Sequence, residues 1–116
     1  MIAYIEDRLP VTPVAVSQAR HALAVSLLPD LTDDVLDTVL LLTTETVSRA
    51  VRATDEPWRL RVDLEDEVLR VSVRYRARPG AGLSGDELSD VILDALSSSW
   101  GTDIAGDDTT LWFEVA

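Results

Sequence analysis

The segment Trp58–Arg76 limits the fold more than any other part of the chain. Two alternating runs flank a short acidic turn, Glu65–Glu67. In the first run Trp58, Leu60, Val62 and Leu64 share one face, with Arg59, Arg61 and Asp63 on the other. In the second, Leu69, Val71, Val73 and Tyr75 oppose Arg70, Ser72, Arg74 and Arg76. A period of two over both runs predicts an antiparallel hairpin, one face apolar and the other largely arginine. Such a sheet needs helices on one face only, and the rest of the chain supplies them.

Thr12 before Pro13 is a helix start, and the helix should run to about Leu28, stopping before Pro29. Its apolar side is Val16, Ala19, Leu23 and Leu27, with Arg20 and His21 partly outside. Thr32 caps a second helix with acids in its first turn, ending around Thr54–Pro57. Leu36, Val39, Leu40, Thr43, Val47, Ala50 and Val51 form its core side. Glu45, Arg49 and Arg52 fall on one stripe, with Leu41 and Leu42 nearby, so cover over that stripe is expected. Ser84 and Glu87 read as a capping box for a third helix to about Ser99, with Leu88, Val91, Ile92, Ala95 and Leu96 as its apolar side. Met1–Leu9 reads as an edge strand, Trp100–Ala105 and Thr109–Val115 as the last two strands. The expectation is a single domain over 1–116, an α/β two-layer sandwich whose mainly antiparallel sheet is covered on one face by three helices.

The chain of 116 residues carries a net charge of −11. That charge repels a phosphate backbone and disfavours nucleic acid, while suiting a basic protein partner. All ten basic residues are arginine, and six of them lie between Trp58 and Arg78. A field of guanidinium groups suits acidic surfaces or phosphates; the bland reading is a solubilised sheet face. With no cysteine and one histidine, disulfides, thiolate sites, histidine metal clusters and a serine triad are excluded. The acids Asp33, Asp34 and Asp37 sit where a helix dipole favours them, and Asp107–Asp108 lie in a turn, so no metal site is expected. No membrane span or export signal is evident, and a cytoplasmic protein without a membrane is the expectation. Gly80–Gly85 matches GxGxxG, but the βαβ context that fingerprint needs is missing, which leaves a loop or a lid remnant.

Three phrases carry a family resemblance. Glu45–Thr54 reads ETVSRAVRAT, Leu93–Gly101 reads LDALSSSWG, and Asp108–Val115 reads DTTLWFEV. In this order they resemble phrases like ELVTNAVRHA, LVDALADRWG and GKTVWFEL of the anti-sigma-factor serine kinases, within the histidine-kinase-like, Hsp90-like ATPase superfamily. The resemblance covers about Leu9–Val115 and implies the histidine-kinase-like ATPase fold. It also implies a bacterial transcription regulator whose partner is a sigma factor or a STAS-domain antagonist.

The resemblance places Glu45 at the general-base position, catalytic if the protein is active. The magnesium-binding asparagine falls on Arg49, which has only donors and cannot ligate Mg²⁺. The Glu45–Arg49 spacing is that of an i,i+4 ion pair, the reading favoured here over direct phosphate contact. An adenine-reading Asp-x-Gly falls on Arg74–Arg78, a stretch with no acid to accept the amino hydrogen bond. The glycine loop falls on Glu87, Leu88 and Ser89 unless Gly80 and Gly82 are the same loop shifted, and the lysine-like position is Thr109. The nucleotide-pocket remnant is thus Glu45, Arg49, Arg52, Tyr75, Gly80, Gly82 and Thr109. Partner-facing candidates are Arg20, Arg49, Arg52, Arg70, Arg74 and Arg76. A degenerate, non-catalytic protein-binding module without a cofactor is the leading expectation. An active ATP·Mg²⁺-dependent serine kinase using the Gly80–Gly82 loop, and a homodimerising structural domain, stay open.

Overall fold

The computed structural model describes residues 2–27, 31–79 and 87–116. Its elements are β1 (Ile2–Leu9), α1 (Val14–Leu27), α2 (Asp33–Ala53), β2 (Trp58–Glu65), β3 (Val68–Arg76), α3 (Glu87–Leu96), β4 (Ser99–Ala105) and β5 (Asp108–Val115). The five strands form one sheet in the order β1-β2-β3-β5-β4, and each neighbouring pair is antiparallel. The helices cover one face, which gives the two-layer α/β sandwich that the alternation of β2 and β3 demands.

Both hairpin runs fold as their pattern predicts. Trp58, Leu60, Val62, Leu69, Val71, Val73 and Tyr75 are buried, and Leu64 packs against them half-buried. Leu60 pairs with Val73 and Val62 with Val71, so the two apolar faces coincide. The turn is two residues, not three: Glu65 still pairs with Val68, and Asp66 and Glu67 carry φ of 50° and 65°. Left-handed conformation at both central residues matches the right-handed twist of the flanking strands.

Helix α2 is capped by Thr32, whose hydroxyl accepts from the Val35 amide at 3.4 Å. Val39, Leu42, Val47 and Ala50 are fully buried. Its buried threonines return their hydroxyls to the helix itself, Thr43 to the Val39 carbonyl at 2.7 Å and Thr46 to Thr43 at 3.1 Å. Thr54 ends the helix and donates to the Arg76 carbonyl at 2.6 Å, tying its C-terminus to the end of β3. On α1 the buried row is Ala15, Ala19, Leu23 and Leu27; Val16 is half-buried, Arg20 and His21 exposed.

Three expectations need correction. Helix α3 ends at Leu96, because the Ser98 amide turns to the Glu114 carbonyl at 2.8 Å and the chain enters the sheet at Ser99. Its expected core side also lies elsewhere. Leu88, Val91 and Leu96 are 64, 60 and 40% exposed and Ala95 is exposed, whereas Ser89 and Leu93 are buried and Ile92 is half-buried. Leu41, expected under cover, is 41% exposed, while Leu42 beside it is buried. The Ser84–Glu87 capping box, Gly80 and Gly82 lie outside the described residues or their side chains.

Candidate functional site

The polar stripe of α2 runs from solvent into the molecule. Arg52 is exposed, Glu45 half-buried, and Arg49 only 9% exposed. A guanidinium at that depth must place its donors on acceptors, because an unpaired buried charge is costly. Arg49 does so across to α3. Its Nε donates to Ser89 Oγ at 2.9 Å, and an Nη donates to the Asp90 carboxylate. The guanidinium carbon also lies 5.5 Å from the centroid of the Trp100 ring at the start of β4, a cation–π distance. Trp100 is itself fixed by donating from its indole nitrogen to Asp94 at 2.6 Å.

Hence the expected i,i+4 pair with Glu45 gives way to a longer-range one. Arg49 reaches α3, and among the described residues its ion pair is with Asp90. Burial favours the longer reach: Ser89 is 1% exposed, and the α2 guanidinium donates to its hydroxyl. Arg49, named among the partner-facing candidates, is 9% exposed and directs its donors to Ser89 and Asp90 within the protein.

The other expected pocket residues lie around the same end of the sheet. Tyr75 and Thr109 face each other across β3 and β5, at 8% and 3% exposure. Burial pushes the Tyr75 phenol above its ordinary pKa, and the nearby Arg49 charge pulls it back in part. Below Tyr75 the chain leaves the sheet through Arg78, whose amide donates to the Ala53 carbonyl at 2.7 Å. The Arg78 guanidinium caps the Arg52 carbonyl and approaches Asp55 at 3.5 Å. Basic residues at the last carbonyls of a helix complement its dipole. No acceptor carboxylate comes from Arg74–Arg78 itself. On the α1 side, Arg20 donates to the Thr44 hydroxyl at 3.0 Å.

The open sheet face carries the remaining arginines, and acids answer most of them. Arg61 makes a two-point contact with Asp63 at 2.8 and 3.0 Å. Arg74 meets Asp108 at 2.8 Å, Arg70 meets Glu114 at 3.7 Å, and Arg76 lies between Glu56 and Asp107 at 3.8 and 3.6 Å. Arg70 also stacks 4.1 Å from the Trp112 ring centroid. A shallow concavity of about 660 Å³ on this face is lined by Arg8, Arg59, Arg74 and Arg76 with Glu56 and Asp108. The field that reads as single-sign in sequence is therefore laced with carboxylates brought in from β5 and the loops. Asp107, Asp108 and Glu114 lie more than 30 residues in sequence from the arginines they meet on β3, which hid them, whereas Glu56 lies 20 residues before Arg76. Among the described residues no cluster of acids or histidine is arranged to hold a metal ion, and no helix is long and apolar enough to cross a membrane.

No family model matches the sequence, and no curated protein matches it either. Among solved structures, the fold is similar to that of the RsbU and RsbW domains of Rv1364c from Mycobacterium tuberculosis. The TM-score is 0.76 at 22% identity, covering 97% of this chain and 32% of that one. At that identity the likeness is one of fold. The sequence signals for Ser89, Asp90 and Trp100 as companions of Arg49 were slight: only a buried arginine seeking acceptors would have pointed to them.

Proposed function

We propose that this protein is a non-catalytic regulatory module of the anti-sigma-factor type. It binds a protein partner, a sigma factor or a STAS-domain antagonist, without nucleotide, in a bacterial cytoplasm. The observation that carries the proposal is the Arg49 latch. At the position that matches the family's magnesium-binding asparagine stands a cation, fastened to Ser89 and Asp90 and packed on Trp100. A magnesium ion needs oxygen ligands there, and a fixed positive charge repels it. The positions that align with the family's phosphate-cradling glycine loop, Glu87, Leu88 and Ser89, contain no glycine. Beyond β3 no carboxylate on Arg74–Arg78 can accept from an adenine amino group.

The fold likeness to a structure containing an RsbW domain supports the regulatory reading, and so does the excess negative charge, which steers a basic partner surface. Titration of ATP·Mg²⁺ by calorimetry, with thermal denaturation alongside, tests the proposal. Neither heat nor a rise in Tm is expected; a ligand at 100 times its Kd would add about 2.7 kcal/mol of stability. Micromolar binding would overturn the non-nucleotide reading and direct attention to Glu45 and the Gly80–Gly82 loop. The positive arm is direct binding of purified sigma factors and STAS-domain proteins from the source cell; failure of all of them would remove the partner assignment.

A further inference from the structure

Two arginines stand directly opposite each other on the open face of the sheet. Arg59 on β2 pairs in register with Arg74 on β3, so both side chains rise from the same face. Like charges at directly opposed positions of an antiparallel pair are destabilising. The same two residues form the wall shared by two neighbouring concavities. The larger, of about 660 Å³, is also lined by Arg8 and Arg76. The smaller, of about 270 Å³, is lined by Arg61 and Arg70 with Ser72 and Thr110. Together they form one trough over β2 and β3. Along β3 the row from Arg70 to Arg76 is about 20 Å long, at about 3.3 Å per residue.

The acids on this face do not cancel the trough. Its lining holds three carboxylates, Glu56, Asp63 and Asp108, against six guanidinium groups. With the rim acids Asp107 and Glu114 added the balance stays positive, in a chain whose net charge is −11. The resident pairs of Arg70 and Arg76 are also long. Arg70 stands 3.7 Å from Glu114, and Arg76 stands 3.8 and 3.6 Å from Glu56 and Asp107. These ion-pair distances exceed hydrogen-bond length, so both guanidinium forks keep donors for another acceptor.

We propose that the trough docks an extended acidic segment of a protein partner. Alternate carboxylates of that segment meet Arg70, Arg74 and Arg76 on β3 and Arg59 and Arg61 on β2. The length of the row selects this occupant. Alternate side chains of an extended peptide fall on one side at about 7 Å intervals, the spacing of alternate β3 residues. A small anion would fill one concavity only. A nucleic-acid strand matches the charge but not the rest of the face. Single strands gain much of their affinity by stacking bases on aromatic rings, and the indole on this face, Trp112, is already covered by Arg70, 4.1 Å from its ring centroid. A long polyanion would also meet the repulsion of the acidic molecule beyond the trough. Carboxylates suit these arginines, since Arg61 already holds Asp63 through two hydrogen bonds at 2.8 and 3.0 Å. The inference rests on the reading of this chain as a protein-binding module, and adds to it the surface and the chemistry of the bound segment. The contrast between a positive trough and an acidic remainder fixes a partner's orientation as well.

An NMR titration of the full chain with a heptapeptide alternating glutamate and serine tests the trough, at low ionic strength where exposed charges are least screened. Amide shifts are expected at Arg70–Arg76 and Thr110, with saturation below about 1 mM peptide. The variant Arg59→Gln/Arg74→Gln should bind at least tenfold more weakly. It removes a like-charge pair and Arg74 is 53% exposed, so it should fold, as far-ultraviolet circular dichroism will check. A peptide with glutamine in place of glutamate should not bind. No shifts, shifts confined to another surface, equal binding by the double variant, or tighter binding of an oligonucleotide of equal charge would each overturn the inference. The assay contains no ATP, sigma factor or STAS domain. Failure of the trough therefore leaves the proposed function standing, and binding to the trough survives failure of those named partners.

Discussion

Replacing Arg49 by methionine tests the latch between α2 and α3 most directly. Methionine keeps the aliphatic stem and the helix propensity, so the change isolates the guanidinium. Three terms are lost. Ser89, 1% exposed, loses its donor partner, about 1–2 kcal/mol. The contact with the Trp100 ring at 5.5 Å contributes about 0.5–1 kcal/mol. The ion pair with Asp90 adds less than about 1 kcal/mol, since that carboxylate is 44% exposed and water takes over its solvation. Against these stands the gain from relieving the desolvated guanidinium, which in some buried pairs makes an apolar replacement neutral or stabilising. Here it does not cancel the loss, because the substitution removes a donor from the buried Ser89 hydroxyl. The expected net loss is about 2 kcal/mol, a fall in Tm of roughly 8 °C for a domain of this size. Urea denaturation of Arg49→Met, Ser89→Ala and the double variant should give a coupling energy of about 1 kcal/mol. A loss under about 0.5 kcal/mol for Arg49→Met, or additive single variants, would refute the latch.

The hairpin turn should improve with glycine: Glu67→Gly at φ 65° is expected to raise stability by about 0.5–1 kcal/mol in the same denaturation assay. Gly101→Ala should cost about 1 kcal/mol or more, because its new Cβ would lie 2.9 Å from the Trp112 ring, and the Trp112 fluorescence should change with it. Tyr4, pushed up to about 12 by burial and by its hydrogen bond to the Glu6 carboxylate, and Tyr75, pushed up by burial, should titrate above the ordinary 10.0 by phenolate absorbance. Both keep their proton longer in the folded chain than in the unfolded one. The stability they carry is therefore full below pH 10 and falls as pH rises through the folded values. Arg49→Met should move Tyr75 further up and leave Tyr4 unchanged.

The sheet was legible because its signal is local. The alternation in β2 and β3, with Trp58 through Tyr75 pointing one way, determines which residues are inside before any partner is known. Helix α2 was legible for the same reason, with Thr32 at its start and Val39, Val47 and Ala50 on one side. What sequence could not supply were contacts between distant segments. The acids that answer Arg70, Arg74 and Arg76 arrive on β5, in the turn before it and, in Glu56, from the loop after α2.

The orientation of α3 is the clearest failure of periodicity, and its cause is Arg49. Maximising buried apolar area would turn Leu88, Val91 and Leu96 inward. The helix instead presents Ser89 and Asp90 to α2, where they meet the Arg49 guanidinium, itself 9% exposed and in need of acceptors. Leu93 still anchors the helix, so the rotation forfeits only part of the apolar burial. Arg49 on α2 thus ties two observations together: a polar stripe that enters the core, and a helix that turns Ser89 and Asp90 inward to meet it.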